Sequence, residues 1–181
     1  ASGKKFGKSE NNAVWLDAKK TSPFAFYQFW LTLPDEGLET YLKVYTFLSL
    51  GEIDNLMILH QKNPNKRRAQ SILAQKVTEI VHGKETSLCV VAASDTLFGN
   101  VSLSSLSHEA RAIVMQEAHT HKVTIGTTLI EALTESALVA SKSDVRRLIE
   151  GRGLSLNGHI IASDKPLTAE DFINGWALVR K

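Results

Sequence analysis

Between Ser22 and Phe98, apolar residues recur at the three-and-four spacing of a buried helix face, in blocks cut by Pro34, Pro64 and Gly83. Blocks this short, on short connections, can bury their stripes only against one another, which predicts a helical bundle. Ser22 before Pro23 is an N-cap with proline at the first helical position. Phe24, Tyr27, Gln28 and Leu31 then share a face that Phe26, Phe29 and Trp30 widen. Pro34 ends this helix, and Asp35 is placed to cap the next, whose stripe is Leu38, Tyr41, Leu42 and Tyr45. Ile53, Leu56, Met57 and His60 repeat the spacing before Pro64. Ala69, Ile72, Leu73, Val77, Ile80 and Val81 mark a longer helix stopped by Gly83. One more short helix is expected over Ser87–Phe98.

After residue 98 the period fades. Residues 99–125 are Ser-rich and then His-rich, and read as a linker with one short helix near His108–Gln116. From Gly126 a helix pattern returns at Leu129, Ile130, Leu133 and Ala137. Ser143 is expected to cap a second helix with the stripe Val145, Leu148 and Ile149. Asn157-Gly158 between the alternating runs Leu154–Leu156 and His159–Ile161 is a strong hairpin signal, because both residues tolerate positive φ. Trp176–Val179 supplies a third strand. The expected fold class is mainly α followed by α+β. A loop occupies 1–14, a helical domain 15–98, a linker 99–125 and a small α+β module 126–181.

The chain has 181 residues, 43% hydrophobic and 22% charged, enough to bury a core and too apolar for a disordered tail. Lys plus Arg is 21 and Asp plus Glu is 19, so the net charge is only +2 and any polyanion must be met by local patches. The single Cys89 excludes an internal disulfide and a multi-cysteine zinc site. No run of 18 apolar residues and no charged-then-apolar leader occurs. The chain begins with Ala and reaches a dense motif within five residues, so a piece of a longer protein is expected.

That motif is Lys5-Phe6-Gly7-Lys8-Ser9. Two lysines three apart in a Gly/Ser loop can close on adjacent phosphate oxygens, with Gly7 admitting the backbone and Ser9 adding a hydroxyl. Taken alone, the spacing also suits a solvated basic tail, and it is not a P-loop. Lys62, Lys66, Arg67 and Arg68 beside Pro64 form a second patch: a solvated helix start or a phosphate grip. Lys19 and Lys20 are similar but weaker. Arg146, Arg147 and Arg152 form a third patch, where one of the adjacent arginines is expected to pair with Glu150. Their planar forks suit an RNA backbone. The aromatic run Phe24–Trp30, His60, His82 and Cys89 read as structural residues. His108, His119 and His121 cluster loosely without a carboxylate or thiol pattern for a metal.

The segment KFGKSENNAVWLDAKKTSPFAFYQFW resembles the stretch following the catalytic domain of bacterial-type tyrosyl-tRNA synthetases, with KFGKS in place of the KMSKS loop. The resemblance continues through YLKVYTFLSLGEI and AQSILAQKVTEIVHG, and SKSDVRRLIEGRGLSLNG resembles the S-four-like RNA-binding module that closes these enzymes. It implies a helical anticodon-binding domain followed by that module, in a cytoplasmic ligase that activates tyrosine with ATP and attaches it to tRNA. Lys5 and Lys8 take the catalytic lysine places, and Lys5, Lys8 and Ser9 the ATP-binding ones. Phe6 and Gly7 depart from the consensus Met and Ser. Lys62, Lys66, Arg67, Arg68, Arg146, Arg147 and Arg152 are the expected tRNA contacts. ATP is a substrate, accompanied by magnesium in the full enzyme, and the full enzyme is expected to dimerise. This chain, lacking a HIGH-type motif and a nucleotide-binding βαβ unit, is expected to be a monomer that binds no cofactor and catalyses nothing alone. Two other readings stay open: a non-catalytic structured-RNA binder derived from a synthetase tail, and a protein-interaction module with a vestigial lysine loop.

Overall fold

In the computed structural model, which describes residues 14–99 and 101–181, Ser22 and Pro23 start the first helix as the sequence predicts. The Ser22 hydroxyl accepts from Ala25 N at 3.1 Å, and α1 runs Pro23–Leu31. Lys5, Lys8 and Ser9, with the loop expected over the first residues, lie outside the described residues. The helices α2 (Leu38–Tyr45), α3 (Leu50–Lys62), α4 (Arg68–His82) and α5 (Lys84–Phe98) follow. Gly83 separates the last two at φ +87, where a side chain would meet open space but an L residue would be strained. The chain divides into two compact units, residues 1–91 and 92–181, and the division falls inside α5.

The first unit is built on α4, which packs against α1, α2 and α3. Its core is Phe26, Leu38, Leu42, Ile53, Ala69, Leu73 and Val77. Phe26 meets the His82 ring edge-on at 5.0 Å and Trp30 at 6.2 Å, so the aromatic run serves packing. Two details differ from expectation. Asp35 does not cap α2, which starts from Gly37 in a left-handed conformation with no side-chain cap. Cys89 is only half-buried rather than a core residue, and α5 begins at Lys84 rather than Ser87.

In the second unit, a 3₁₀ turn at Leu103–Ser105 and α6 (His108–Glu117) precede α7 (Leu129–Glu135) and α8 (Lys142–Glu150). Ser141, not Ser143, caps α8, its hydroxyl accepting from Asp144 N at 3.1 Å. The strands β1 (Ser155–Leu156), β2 (His159–Ile160) and β3 (Val179–Arg180) form an antiparallel sheet in the order β2-β1-β3. Ser155 faces Ile160 on one side and Arg180 on the other. Leu129, Ile130, Leu133, Val145, Ile149, Leu154, Leu156, Ile161 and Leu167 fill the core beneath it. The hairpin turns at Asn157 (φ +51) and Gly158 (φ +89), the two positive angles a two-residue turn of this hand requires. The Asn157 side chain also donates to Asp171 O at 2.7 Å and accepts from Leu178 N at 2.9 Å, tying the turn to two later segments. No helix among the described residues is long and apolar enough to cross a membrane.

Candidate nucleic-acid interface

The patch around Pro64 sits where α3 hands over to α4. Lys62 ends α3, a 3₁₀ turn spans Pro64–Lys66, Arg67 is left-handed at φ +48, and Arg68 opens α4. All four cations are exposed. Among the described residues Lys62, Lys66 and Arg68 have no carboxylate partner. Arg67 differs. Its Nε and Nη2 donate to Leu31 O at 3.3 and 2.8 Å, and Nη2 donates again to Leu33 O at 2.9 Å. Those bonds offset the roughly 1–2 kcal/mol that a left-handed backbone costs a residue with a Cβ.

A second tie holds the same loop. Gln70 Nε2 donates to Asp35 Oδ1 at 2.5 Å and to Leu33 O at 3.4 Å, and His60 Nε2 reaches Asp35 Oδ1 at 3.1 Å. A carboxylate only accepts, so the His60 proton on that side sits on Nε2. The Gln70 hydrogen bond, more than His60 and the nearby Arg67 charge, holds the Asp35 carboxyl below its usual range. The α1–α2 connection is thus fastened to the end of α3 and the start of α4.

The third patch is carried by α8 and its exit. Val145 and Ile149 are buried, which turns Arg146 and Arg147 to solvent. Arg147 Nη1 stands 3.8 Å from Asp144 Oδ1, with its side chain 78% exposed; this loose contact replaces the pair expected with Glu150. The reason is direction: Asp144 lies one turn toward the N-terminus, the way helical side chains lean. Arg152 follows at φ +54 in a tight exit closed by Gly153 N to Leu148 O at 2.8 Å. A Cβ at Gly153 would come within 3.3 Å of the Leu148 side-chain methyl, so a larger residue there would make that methyl shift by a few tenths of an ångström.

Two cations escaped the sequence reading. Lys181 lines a shallow groove with Arg147, over Val139, Ala140 and Leu148. Arg180 pairs with Ser155 in the sheet and brings its Nη2 within 3.7 Å of where a Gly158 side chain would start. The strand signal Trp176–Val179 stopped just short of both.

The remaining candidates have local roles. Lys20 Nζ lies 4.5 Å from the Trp15 ring centroid. Burial lowers the His82 pKa, consistent with a packing role. His119 Nε2 contacts Ser136 O at 2.8 Å and His121 stands 3.8 Å from Glu135. Among the described residues no three His, Cys, Asp or Glu side chains converge.

Comparison with known proteins places this sequence in a family. The model for tRNA synthetases class I (W and Y) matches residues 1–99. The tyrosine–tRNA ligase of Anaeromyxobacter dehalogenans is 43% identical over 100% of this chain, and that of Streptomyces avermitilis is 38% identical over the same share. The chain spans 44% and 43% of the lengths of these relatives. Among solved structures, a C-terminally truncated mitochondrial tyrosyl-tRNA synthetase from Aspergillus nidulans is 41% identical over 48% of this chain and 26% of its own, with a TM-score of 0.47. The match of the family model over more than half the sequence means that the chain belongs to the class I tRNA synthetases of the W and Y family.

Proposed function

We propose that this chain is the tRNA-binding C-terminal part of a tyrosine–tRNA ligase, an enzyme that activates tyrosine with ATP and transfers it to tRNA. The observation that carries this reading is the pair of exposed cation groups, Lys62, Lys66 and Arg68 on one unit and Arg146, Arg147 and Arg152 on the other, in a chain of net charge +2. Among the described residues, Arg147 alone of them has a carboxylate within 4 Å, and it is loosely held. Their charge is therefore available to phosphates. Residues 15–98 and 126–181 act as the two binding domains, joined by 99–125.

In the intact enzyme, Lys5 and Lys8, with Ser9, would face ATP in the 1–14 loop. In-line attack on the α-phosphate builds negative charge on the departing pyrophosphate, which positioned lysines stabilise. Magnesium would arrive with ATP and neutralise phosphate charge. By itself the chain is a monomer without tyrosine-dependent ATP–pyrophosphate exchange, and the intact cytoplasmic enzyme is a dimer.

The test is tRNA binding by the full chain across a salt series. Replacing Arg146 and Arg147 together by Ala is expected to weaken binding and to flatten the log–log salt dependence by about one to two, at roughly 0.7–0.9 per phosphate contact. A folded double variant with the affinity and salt slope of the parent would remove α8 from the RNA interface.

A further inference from the structure

We infer that Arg67 serves RNA binding as a positioning residue: it fixes the left-handed corner between α3 and α4 from which Lys62, Lys66 and Arg68 reach solvent, and does not itself hold phosphate. The inference rests on the proposed RNA-binding reading of that patch. Arginine grips a phosphate best through two parallel N–H groups. In Arg67 the edge made by Nε and Nη2 is turned inward onto Leu31 O, and Nη2 has its second hydrogen on Leu33 O. Only Nη1 is left, and one nitrogen cannot form that grip on two oxygens.

The backbone of Arg67 makes the same point from the other side. Its N–H closes the 3₁₀ turn onto Pro64 O at 2.8 Å, and its carbonyl takes the Ser71 N–H at 2.9 Å and the Ser71 hydroxyl at 3.0 Å, in the first turn of α4. Lys66 and Arg68 are its immediate neighbours, so their directions follow from a corner of φ +48 that no glycine relieves. The side chain holding that corner reaches back 34 and 36 residues to a loop that Gln70 and Asp35 fasten independently. Loss of the Arg67 fork should therefore free the corner while the core of the unit stays folded.

The experiment measures binding of a tyrosine tRNA transcript to the full chain over a salt series, with folding followed by circular dichroism. It uses Arg67→Ala, Arg67→Lys and the triple variant Lys62→Ala, Lys66→Ala, Arg68→Ala. Both Arg67 variants are expected to lose affinity roughly tenfold and to lower the salt slope by about one to two, because lysine restores the charge but not the fork. Arg67→Lys with the parent affinity and slope would make Arg67 a direct charge contact and overturn the inference. Normal binding by both Arg67 variants, with only a lower melting temperature, would reduce the residue to stability and overturn it too. Unchanged binding by the triple variant would instead overturn the RNA reading of the patch, and Arg67 with it. Should Arg67→Ala fail to fold, Arg67→Gln, which keeps one donor for Leu31 O, takes its place with the same expected loss.

Discussion

Asp35 Oδ1 takes hydrogen bonds from Gln70, which is fully buried, and from His60, 3% exposed, while its own side chain stays 58% exposed. Replacing it with Ala leaves the Gln70 amide with only a long bond to Leu33 O, and a buried donor left short costs about 1–3 kcal/mol. Urea unfolding of Asp35→Ala should show that loss, and Asp35→Asn, which keeps an acceptor, a smaller one; equal stability of all three proteins would contradict the tie. Because the folded carboxyl is held below its ordinary value of 3.8, its contribution is present above that value and lost as pH falls through the folded one. None of this was readable in the sequence. A local rule places Asp35 just ahead of Leu38 and assigns it a cap, but its partners lie 25 and 35 residues away. Arg67 was read as one charge in a run for the same reason, its carbonyl partners being 34 and 36 residues upstream.

What local rules do reach is the stripe, the stop and the turn. The Leu38–Tyr45 and Ala69–Val81 patterns become α2 and α4, Gly83 stops α4, and Asn157-Gly158 turns the hairpin in the expected register. Caps are harder, because several serines compete within one turn. Ser141 and Ser143 both precede the apolar stripe of α8, and only the structure shows that Ser141 accepts from Asp144 N. Ser141→Ala should therefore cost about 1 kcal/mol and Ser143→Ala close to nothing in thermal unfolding; the reverse order would return the cap to Ser143. Three capping boxes, Ser49 with Glu52, Thr128 with Glu131 and Thr168 with Asp171, share one acid response. The Ser49 and Thr128 bonds lower Glu52 and Glu131, and Lys165, ahead of the Thr168 bonds, lowers Asp171. With folded values depressed, their help is intact above the ordinary 4.5 and 3.8 and disappears as pH falls through the folded values. On acidification followed by circular dichroism, the capping-box contribution should hold until pH drops below 4.5, while the half-buried His82, with its folded value depressed, begins to cost stability below its ordinary 6.5.

Across the full chain, residues 118–125 run without helix or strand after α6, mostly exposed, and contain Lys122. Among the described residues, brief trypsin treatment is expected to cut there first and to release a piece beginning at Val123 with α7, α8 and the sheet intact. A first cut inside α5 would instead place the weak point within that helix. The Asn157-Gly158 turn carries a further consequence, for chemical ageing. In such a pair the glycine backbone nitrogen can attack the asparagine amide carbon; ammonia leaves, and water opens the ring to an acidic residue. Here both ends of the Asn157 amide are engaged, with Asp171 O and Leu178 N, so the folded protein holds the reacting group away from its attacker. Peptide mapping should find the acidic form at residue 157 in samples aged in denaturant and not in samples aged folded, read apart from the second such pair, Asn174-Gly175. The turn that closes the hairpin thereby also sets how long an unfolded copy remains able to form it again.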